Sequence, residues 1–326
     1  MSLNQTNIAE RPPAGTGGRG KDCVAWVAGV IWLVGTAVRW SIRDASPVTG
    51  PVFYALPVPL LLVAGWWCIR RVRRSGRWRL TLLAGAVMAI QAIAWACNVF
   101  GWNTGREAES TRLLFWNVCR GNLGYDAIAR EIAAVDPGIV ALVEATRQGQ
   151  DSGFWNTALP GYSATCLGAG MTLLVRNGTQ PVEVEIIEKG QVPGECRYRV
   201  LVLDTGEQRL RLLIADIKSS PLMFRRPAFA RLASIAARSA DLPSLVVGDF
   251  NTPLDSVHVD LLRDDLANAF ESSGTGYRET WPVILPVLSL DQIWGNSGVT
   301  WHRCWCESSL RSDHRRVVAE FSIAAD

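Results

Sequence analysis

Three long stretches without a charged side chain lie within the first hundred residues, and they constrain this chain more than any other feature. They cover residues 23–38, 51–69 and 80–100. A helix needs roughly 20 apolar residues to cross about 30 Å of hydrocarbon. The second and third stretches reach that length, and the first needs Trp40 at the membrane surface. The pattern predicts three transmembrane helices within residues 22–100, the second kinked or made re-entrant by Pro57 and Pro59.

The charges around these stretches predict their orientation. Residues 70–79 carry six arginines between the second and third stretches, and the positive-inside rule places such a segment in the cytoplasm. Residues 1–21, which are polar and rich in glycine and proline, are predicted to be a disordered tail on the same side. Arg39 and Arg43 oppose this orientation but are outnumbered. We therefore expect a multi-pass cell-membrane protein with a cytoplasmic N-terminus and an extracytoplasmic C-terminal domain. A signal-peptidase site at residues 35–37 is a less favoured alternative because the polar region before it is long.

Residues 111–326 have the pattern of a water-soluble domain, joined to the anchor by a linker over residues 101–110. Short apolar strands outnumber helices, and the helices intervene only at some connections, which favours an α+β fold or a mixed sandwich. The predicted helices cover residues 125–134 and 226–239. The predicted strands cover residues 113–117, 138–143, 171–175, 182–187, 199–203, 210–217, 244–247, 289–294 and 316–323. The net charge of +3 does not favour nucleic acid as a partner.

Polar side chains recur where these strands end or begin. They are Asn117, Glu144, Asp249, Asn251, Asp291, Asp313 and His314. Side chains at the ends of neighbouring strands converge at one edge of a sheet, where they can share a cation. Hard oxygen ligands of this kind suit Mg²⁺ or Mn²⁺, which can polarise a phosphoryl oxygen. A histidine beside a carboxylate can stabilise charge on a phosphate or transfer a proton.

At these residues the chain resembles the endonuclease/exonuclease/phosphatase superfamily, which includes DNase I-like nucleases, neutral sphingomyelinases and inositol phosphatases. The matching stretches, in order, are residues 115–118, 141–145, 247–253, 290–293 and 312–314, and residues 274–282 also fit the pattern. The resemblance implies a four-layer α/β/β/α sandwich preceded by three transmembrane helices. The anchor makes the chain similar to a bacterial membrane-bound branch of the superfamily.

The resemblance also implies a role for each matching polar residue. Glu144 would be the main metal ligand, with Asn117 and Asp313 beside it. The remaining positions would act on the substrate: Asp249 would orient or deprotonate the attacking water, Asn251 would contact the phosphate, Asp291 would set the tautomer of His314, and His314 would stabilise the pentacovalent phosphate.

One position departs from the family's pattern. The family has a histidine in the strand before the Gly-Asp-x-Asn motif, whereas this chain has Asp216 there. A carboxylate cannot donate a proton to phosphate unless its pKa is raised. Asp216 could instead be an extra metal ligand, or Lys218 could supply the missing positive charge. The other two histidines, His258 and His302, are expected at the surface.

The sequence therefore predicts a membrane-anchored, metal-dependent phosphoric ester hydrolase with a phosphodiester or phosphomonoester substrate, favoured to be lipid-linked. The alternatives are an extracytoplasmic nuclease, or a binding or sensor protein of the same fold whose chemistry is impaired by the missing histidine. A transport unit is disfavoured because the anchor lacks charges within its predicted spans. A disulfide from Cys304 or Cys306 to another cysteine of the domain stays open.

Overall fold

The computed structural model describes residues 17–105, 110–178, 182–206, 208–238 and 241–323. Most of the predicted tail, residues 1–16, lies outside the described residues. So do residues 106–109 of the predicted linker.

The N-terminal part forms four helices, two of which are long and apolar enough to cross a membrane. In chain order the helices are α1 (Gly17–Trp40), α2 (Thr49–Ala55), α3 (Val58–Arg74) and α4 (Trp78–Val99). The candidate spans are Cys23–Trp40 within α1 and Trp78–Val99. Helices α2 and α3 pass the same test only as a pair, and they are bent by 82°. The break falls at Pro57, as predicted, because proline cannot donate to the helix ladder. The described residues thus hold two candidate spans, or three if the bent pair is one span, so three transmembrane helices are not confirmed.

The helices pack through small and polar side chains and leave their apolar side chains outside. Gly65 lies against the ring of Trp32, whose indole N–H donates to buried Gln91 over 3.2 Å. The outward surface instead carries exposed apolar residues such as Trp26 and Leu82. This is the surface expected of helices that face hydrocarbon.

The C-terminal part is a mixed α+β fold. Its helices are α5 (Tyr125–Val135), α6 (Ser152–Ala158), α7 (Arg226–Ala237) and α8 (Ala269–Ser273). Its strands are β1 (Phe100–Trp102), β2 (Thr111–Asn117), β3 (Ile139–Val143), β4 (Tyr162–Gly168), β5 (Met171–Arg176), β6 (Glu183–Val192), β7 (Cys196–Asp204), β8 (Arg209–Ile217), β9 (Ser244–Asp249), β10 (Ala267–Asn268), β11 (Thr275–Tyr277), β12 (Asp291–Gly295), β13 (Val299–Glu307) and β14 (Arg316–Ile323). Strands β4 and β13 were not predicted, since their inward and outward residues do not alternate cleanly in polarity.

Two six-stranded sheets face each other across the main core. Their orders are β13-β14-β2-β3-β5-β4 and β10-β12-β9-β8-β7-β6. Side chains such as Phe115 and Ile214 meet between the sheets. Helices α5 and α6 cover the outer face of the first sheet, and α7 covers that of the second. The layers are therefore helix, sheet, sheet and helix, in agreement with the α+β sandwich predicted from the sequence.

The central strands are apolar because both of their faces are covered. On β2, Leu113 and Phe115 face the other sheet, whereas Leu114 and Trp116 face α5 and α6. Strand β3 follows through α5 and runs parallel to β2. A strand buried on both faces has a continuous apolar run rather than an alternating one. Polar side chains are consequently displaced to the strand ends, where the predicted site lies.

Two histidines outside the predicted site are buried. His258 is buried, with its ring edge against Phe224. His302 is also buried and its Nε2 lies 2.9 Å from the hydroxyl of Ser322. The prediction that both histidines lie at the surface was wrong, because β13 turns inward at His302 and the anchor covers His258. All eight cysteines are free thiols, so no disulfide forms from Cys304 or Cys306.

The loop between α1 and α3 packs on the C-terminal domain through a buried aspartate. Asp44 accepts hydrogen bonds from the hydroxyl of Ser256 at 2.5 Å, the backbone N–H of Val257 at 3.0 Å and the hydroxyl of Tyr54 at 2.8 Å. A buried carboxylate is tolerated when it is hydrogen-bonded in this way. Arg39 adds an ion pair to Asp255 at 2.6 Å. The loop after β9 is thus held by the anchor.

The end of α4 meets the domain on a second surface. Strand β1 continues from α4 and pairs with β11. The ring of Tyr277 lies 5.1 Å from that of Phe100 and 6.2 Å from that of Trp95. The α1–α3 loop and the C-terminal domain therefore lie at the same end of the helices. The arginine-rich turn between α3 and α4 lies at the other end, one helix length away.

Candidate active site

Strand pairing brings the predicted site residues to one edge of the two sheets. In the second sheet, Asp216 is opposite Asp249, and Asp249 is opposite Asp291. In the first sheet, Asn117 ends β2 beside Val143, the residue before Glu144. The hydroxyl of Ser312 donates to the backbone carbonyl of Asn117 over 2.7 Å, which places the Asp313 turn at the same edge.

Asp291, His314 and Asp249 form a buried line of charged groups. Nδ1 of His314 lies 2.8 Å from Oδ2 of Asp291, and Nε2 lies 3.8 Å from Oδ2 of Asp249. The carboxylate of Asp291 fixes the ring so that Nδ1 carries a proton and Nε2 faces Asp249. Burial alone lowers the pKa of His314, but the carboxylates of Asp291 and Asp249 outweigh burial and raise it to about 10. The imidazole is therefore held as a cation.

Two asparagines hold Asp249 in place. The side-chain amide of Asn117 donates to Oδ2 of Asp249 over 2.9 Å, and the backbone N–H of Asn251 donates to Oδ1 over 2.9 Å. Asn251 also donates through Nδ2 to the carbonyl of Ile217 over 2.7 Å. Burial raises the pKa of Asp249 to about 8, although His314 opposes the rise. A raised pKa makes the ionised form of Asp249 a stronger base than an ordinary aspartate.

Glu144 and Asp313 lie near Cys119, two residues after Asn117 in the chain. Glu144 has a backbone φ of 52°, a left-handed conformation that costs free energy for a residue other than glycine or asparagine. Its nearest cation is Arg120, 3.9 Å away, which is an ion pair without a hydrogen bond. Oδ2 of Asp313 accepts from the indole N–H of Trp281 over 3.2 Å. Both carboxylates raise the pKa of the Cys119 thiol, behind burial as the main cause, so both face it.

Two groups of side chains could hold a divalent cation. The ligand atoms of Asp249, Asp291 and His314 all lie within 4.8 Å of one another. However, a cation there would break two hydrogen bonds. One joins Nδ1 of His314 to Asp291, and the other joins the side-chain amide of Asn117 to Asp249. The second group is the predicted one, Asn117, Glu144 and Asp313. Hard oxygen donors suit Mg²⁺ or Mn²⁺, and among the residues that the structure describes the Glu144 carboxylate has only the 3.9 Å ion pair to Arg120. The predicted group could therefore hold a divalent cation through the Glu144 carboxylate, although Oδ1 of Asn117 already accepts from the backbone N–H of Cys119 over 2.9 Å.

A cavity of about 470 Å³ opens next to this site. Glu144, Asp216 and Asn251 line it, which brings the predicted metal side and the Asp249 side together. Arg197 and Lys218 also line it, and Arg197 is opposite Asp216 in the strand register. Cations therefore stand around the position where the family has a histidine.

Burial and the neighbouring Glu144 raise the pKa of Asp216 to about 6. The metal-free folded state then binds a proton more tightly than the unfolded state between about pH 4 and 6, so its stability falls as pH rises through that range. Replacing Asp216 with Asn removes this loss. We expect Asp216→Asn to be more stable than the wild type by about 1–2 kcal/mol at pH 8, discounted for partial exposure, and equal to it at pH 4.

Denaturation in detergent with EDTA at both pH values measures this difference. Asp204→Asn, a half-exposed aspartate paired with Arg209 away from the cavity, is the matched control. A gain for Asp216→Asn that does not change with pH would contradict the electrostatic explanation.

Sequence reasoning missed four residues that shape the site. Arg120 and Arg197 bring cations to the cavity, and Trp281 orients Asp313. Buried Arg225 donates to the carbonyls of Lys218 at 2.6 Å and Asn251 at 3.1 Å. Of these, only Trp281 lies in a stretch that the family pattern singles out. The arginines have no signal in the sequence because strand register and loop packing alone bring them to the site.

Comparisons with known proteins support the family and the fold. The model of the Endonuclease/Exonuclease/phosphatase family matches residues 114–314. A mannosyl-6-phosphatase from Bacteroides thetaiotaomicron is 16% identical, with a TM-score of 0.54, and the match covers 66% of this chain and 100% of that chain. An endonuclease/exonuclease/phosphatase family protein from the same organism is also 16% identical, with a TM-score of 0.54, over 67% of this chain and 100% of that chain.

TDP2 from D. rerio, humanized by 14 mutations, is 18% identical with a TM-score of 0.54, over 66% of this chain and 100% of that chain. Another D. rerio TDP2 structure is complexed with a single strand DNA product. No curated protein matches the chain. At these identities the structural likeness establishes the fold, and the side chains of this chain must carry any functional argument.

Proposed function

This chain belongs to the endonuclease/exonuclease/phosphatase family, and on that premise we propose that it is a membrane-anchored, divalent-metal-dependent phosphoric ester hydrolase. The observation that carries the proposal is the line of Asp291, His314 and Asp249 beside Asn117 and Glu144 at one sheet edge. It joins a cationic imidazole, a carboxylate that can accept a proton, and the oxygen donors of Asn117, Glu144 and Asp313. These three elements suit phosphoryl transfer, which depends on positioning and on stabilising negative charge.

Each side chain of the site would have a separate role in hydrolysis. Glu144, Asn117 and Asp313 would hold Mg²⁺ or Mn²⁺, which polarises a phosphoryl oxygen when bound. Asp249 would accept the proton of the attacking water, because Asn117 and Asn251 hold its carboxylate in the centre of the site and its raised pKa makes the ionised form a stronger base. His314, held by Asp291, would donate to the phosphoryl oxygens as charge develops. Asn251 would contact the phosphate from the cavity side.

The cations around Asp216 favour an active site over an impaired one, although the histidine is missing. Burial and Glu144 raise the pKa of Asp216, whereas Arg197, its neighbour across the strands, lowers it. Lys218 lines the same cavity. Positive charge for the phosphate is thus present without the histidine. A binding or sensor protein of this fold is the alternative, and it predicts no turnover.

A hydrolysis assay separates these two alternatives. The full chain in detergent, with Mg²⁺ or Mn²⁺, should hydrolyse bis-p-nitrophenyl phosphate or p-nitrophenyl phosphate, and EDTA should stop the reaction. Glu144→Ala is the background control. Turnover no faster than this control, with either metal, would exclude the enzyme.

We place the domain on the extracytoplasmic side. The α1–α3 loop and the domain lie together at one end of the helices, while residues 70–79 with their arginines lie at the other. The positive-inside rule assigns the arginine-rich end to the cytoplasm. Reporter fusions should therefore find the C-terminus outside and a reporter at residue 76 inside. A cytoplasmic C-terminus would refute the charge argument.

The substrate we favour is a phosphate ester of a membrane lipid, since the anchor keeps the site close to such esters at high local concentration. An extracytoplasmic nuclease is the second candidate, motivated by the likeness to TDP2. A nuclease needs many cations along a nucleic-acid backbone, whereas the site cavity balances Arg120, Arg197 and Lys218 with acids. A substrate screen that yields faster cleavage of DNA than of any lipid ester would reverse this preference.

A further inference from the structure

An apolar loop stands beside the candidate active site with its tip in solvent. It consists of residues 282–286, and we call it the apolar lip. None of its residues carries a polar side chain. Ile284 is 89% exposed and Leu285 is 69% exposed, although the residues on either side are partly buried. Two adjacent exposed aliphatic side chains at the tip of an ordered loop are unusual for a surface that faces only water.

The lip is attached directly to the catalytic edge. Its Val283 N–H donates to the carbonyl of Asp313 over 2.8 Å. Trp281, which precedes the lip, donates through its indole to the Asp313 carboxylate. Backbone hydrogen bonds between Trp281 and Leu288 close the base of the loop. The tip is therefore held in place relative to Asp313 and His314.

The other end of the lip is linked to the N-terminal helices through Tyr277. The hydroxyl of Tyr277 donates to the carbonyl of Pro286 over 2.7 Å, and the Tyr277 ring packs near Trp95 of α4. Val287 and Leu288 line a junction cavity of about 310 Å³ together with Trp40, Trp95 and Val99, which mark the ends of α1 and α4. Tryptophans at helix ends are typical of the membrane–water interface. The lip therefore begins at the level of that interface.

We propose that the apolar lip inserts into the bilayer surface beside α4 and presents lipid-borne phosphate esters to the Asp313–His314 edge. This deepens the proposed function and rests on it. Burial in lipid removes the exposed aliphatic surface of Ile284 and Leu285 from water, which is favourable. The substrate class is then a lipid whose phosphate lies at headgroup depth, and the polar cavity lined by Arg197 and Lys218 receives the headgroup.

Photocrosslinking tests the position of the lip without relying on catalysis. The photoreactive residue p-benzoylphenylalanine replaces Ile284 in the full chain, in nanodiscs of phosphatidylcholine and phosphatidylglycerol. Ile187, an exposed isoleucine on β6, is replaced in the same way as the matched control. We expect lipid adducts by mass spectrometry at position 284 and not at position 187. Equal adduct levels at the two positions would overturn the proposal.

Hydrolysis rates test what the lip does. The double variant Ile284→Ser/Leu285→Ser is compared with Ile187→Ser on bis-p-nitrophenyl phosphate in solution and on phosphatidic acid and phosphatidylglycerol in vesicles. Loss of two aliphatic contacts should lower the vesicle rates by roughly tenfold or more. The rate on the soluble ester should stay unchanged, because neither side chain belongs to the catalytic group.

The outcomes separate this inference from the proposed function. A wild type that cleaves no soluble ester contradicts the proposed function, while the crosslinking still decides where the lip lies. A wild type that cleaves the soluble ester but neither lipid contradicts the lipid substrate. A double variant that keeps the vesicle rate contradicts the role of the lip. A double variant that keeps the wild-type fold but loses both rates equally acts on the catalytic site itself. That outcome also counts against the lip.

Discussion

Replacing His314 with Asn lowers the turnover of bis-p-nitrophenyl phosphate by about 10²–10⁴-fold. The imidazole lies 2.8 Å from Asp291 and 3.8 Å from Asp249, and it is the cationic group in the buried centre of the site. An asparagine of similar size cannot carry that charge or a transferable proton. Steady-state rates on the full chain measure the effect. His302→Asn, which changes another buried histidine away from the site, is the matched control and should keep the wild-type rate.

Asp291→Asn adds a test of the proposed coupling. Burial lowers the pKa of His314, but Asp291 and Asp249 together raise it to about 10. Without the Asp291 charge the His314 pKa falls, so the alkaline limit of activity should move to lower pH. The double variant should lose little more activity than His314→Asn alone, because residues that act as a unit are not additive. Independent losses from the two substitutions would contradict a shared role.

Glu144→Gln raises the Mg²⁺ or Mn²⁺ concentration for half-maximal activity by at least about 100-fold. This exceeds the loss of metal affinity caused by changing a residue that only supports a metal ligand. The reason is that Glu144 is the carboxylate with unengaged lone pairs in the predicted metal group, and an amide is a much weaker ligand for hard cations. Metal titrations of the hydrolysis rate measure the shift. Glu131→Gln, a carboxylate of similar exposure paired with Arg316, is the control.

A Glu144→Gln variant that saturates at the wild-type metal concentration but with a lower maximal rate would place Glu144 outside the metal site. Such a result would move the metal toward Asp249, Asp291 and His314. The two outcomes therefore distinguish the two candidate groups of ligands.

Much of the fold could be predicted because the central strands are covered on both faces. The apolar runs at residues 113–117, 138–143 and 244–247 end in polar residues, and those ends meet at one edge of the sheets. The pairing of Asp249 with both Asp216 and Asp291 is a consequence of this arrangement. Strands β4 and β13 lie on sheet edges, where one face is partly exposed and the polarity pattern weakens.

The long-range contacts of the anchor could not be predicted in the same way. His258 was expected at the surface, yet it lies 4.0 Å from Asp44, far away in the chain. Arg225 likewise reaches Asn251 only because the loop before α7 folds back under the site, with its guanidinium over the ring of Tyr54 in α2. No local pattern encodes contacts between loops that are distant in sequence. They mean that the N-terminal helices and the loops between them support the loops around the site.

The most direct test of the account is to locate the metal. Crystals of the full chain grown with Mn²⁺ should show one anomalous peak at the carboxyl edge of β2 and β3, within bonding distance of Glu144, Asn117 and Asp313, and Glu144→Gln should remove it. A Mn²⁺ peak among Asp249, Asp291 and His314, or none at this edge, would contradict the proposed division between metal ligands and proton-transfer groups.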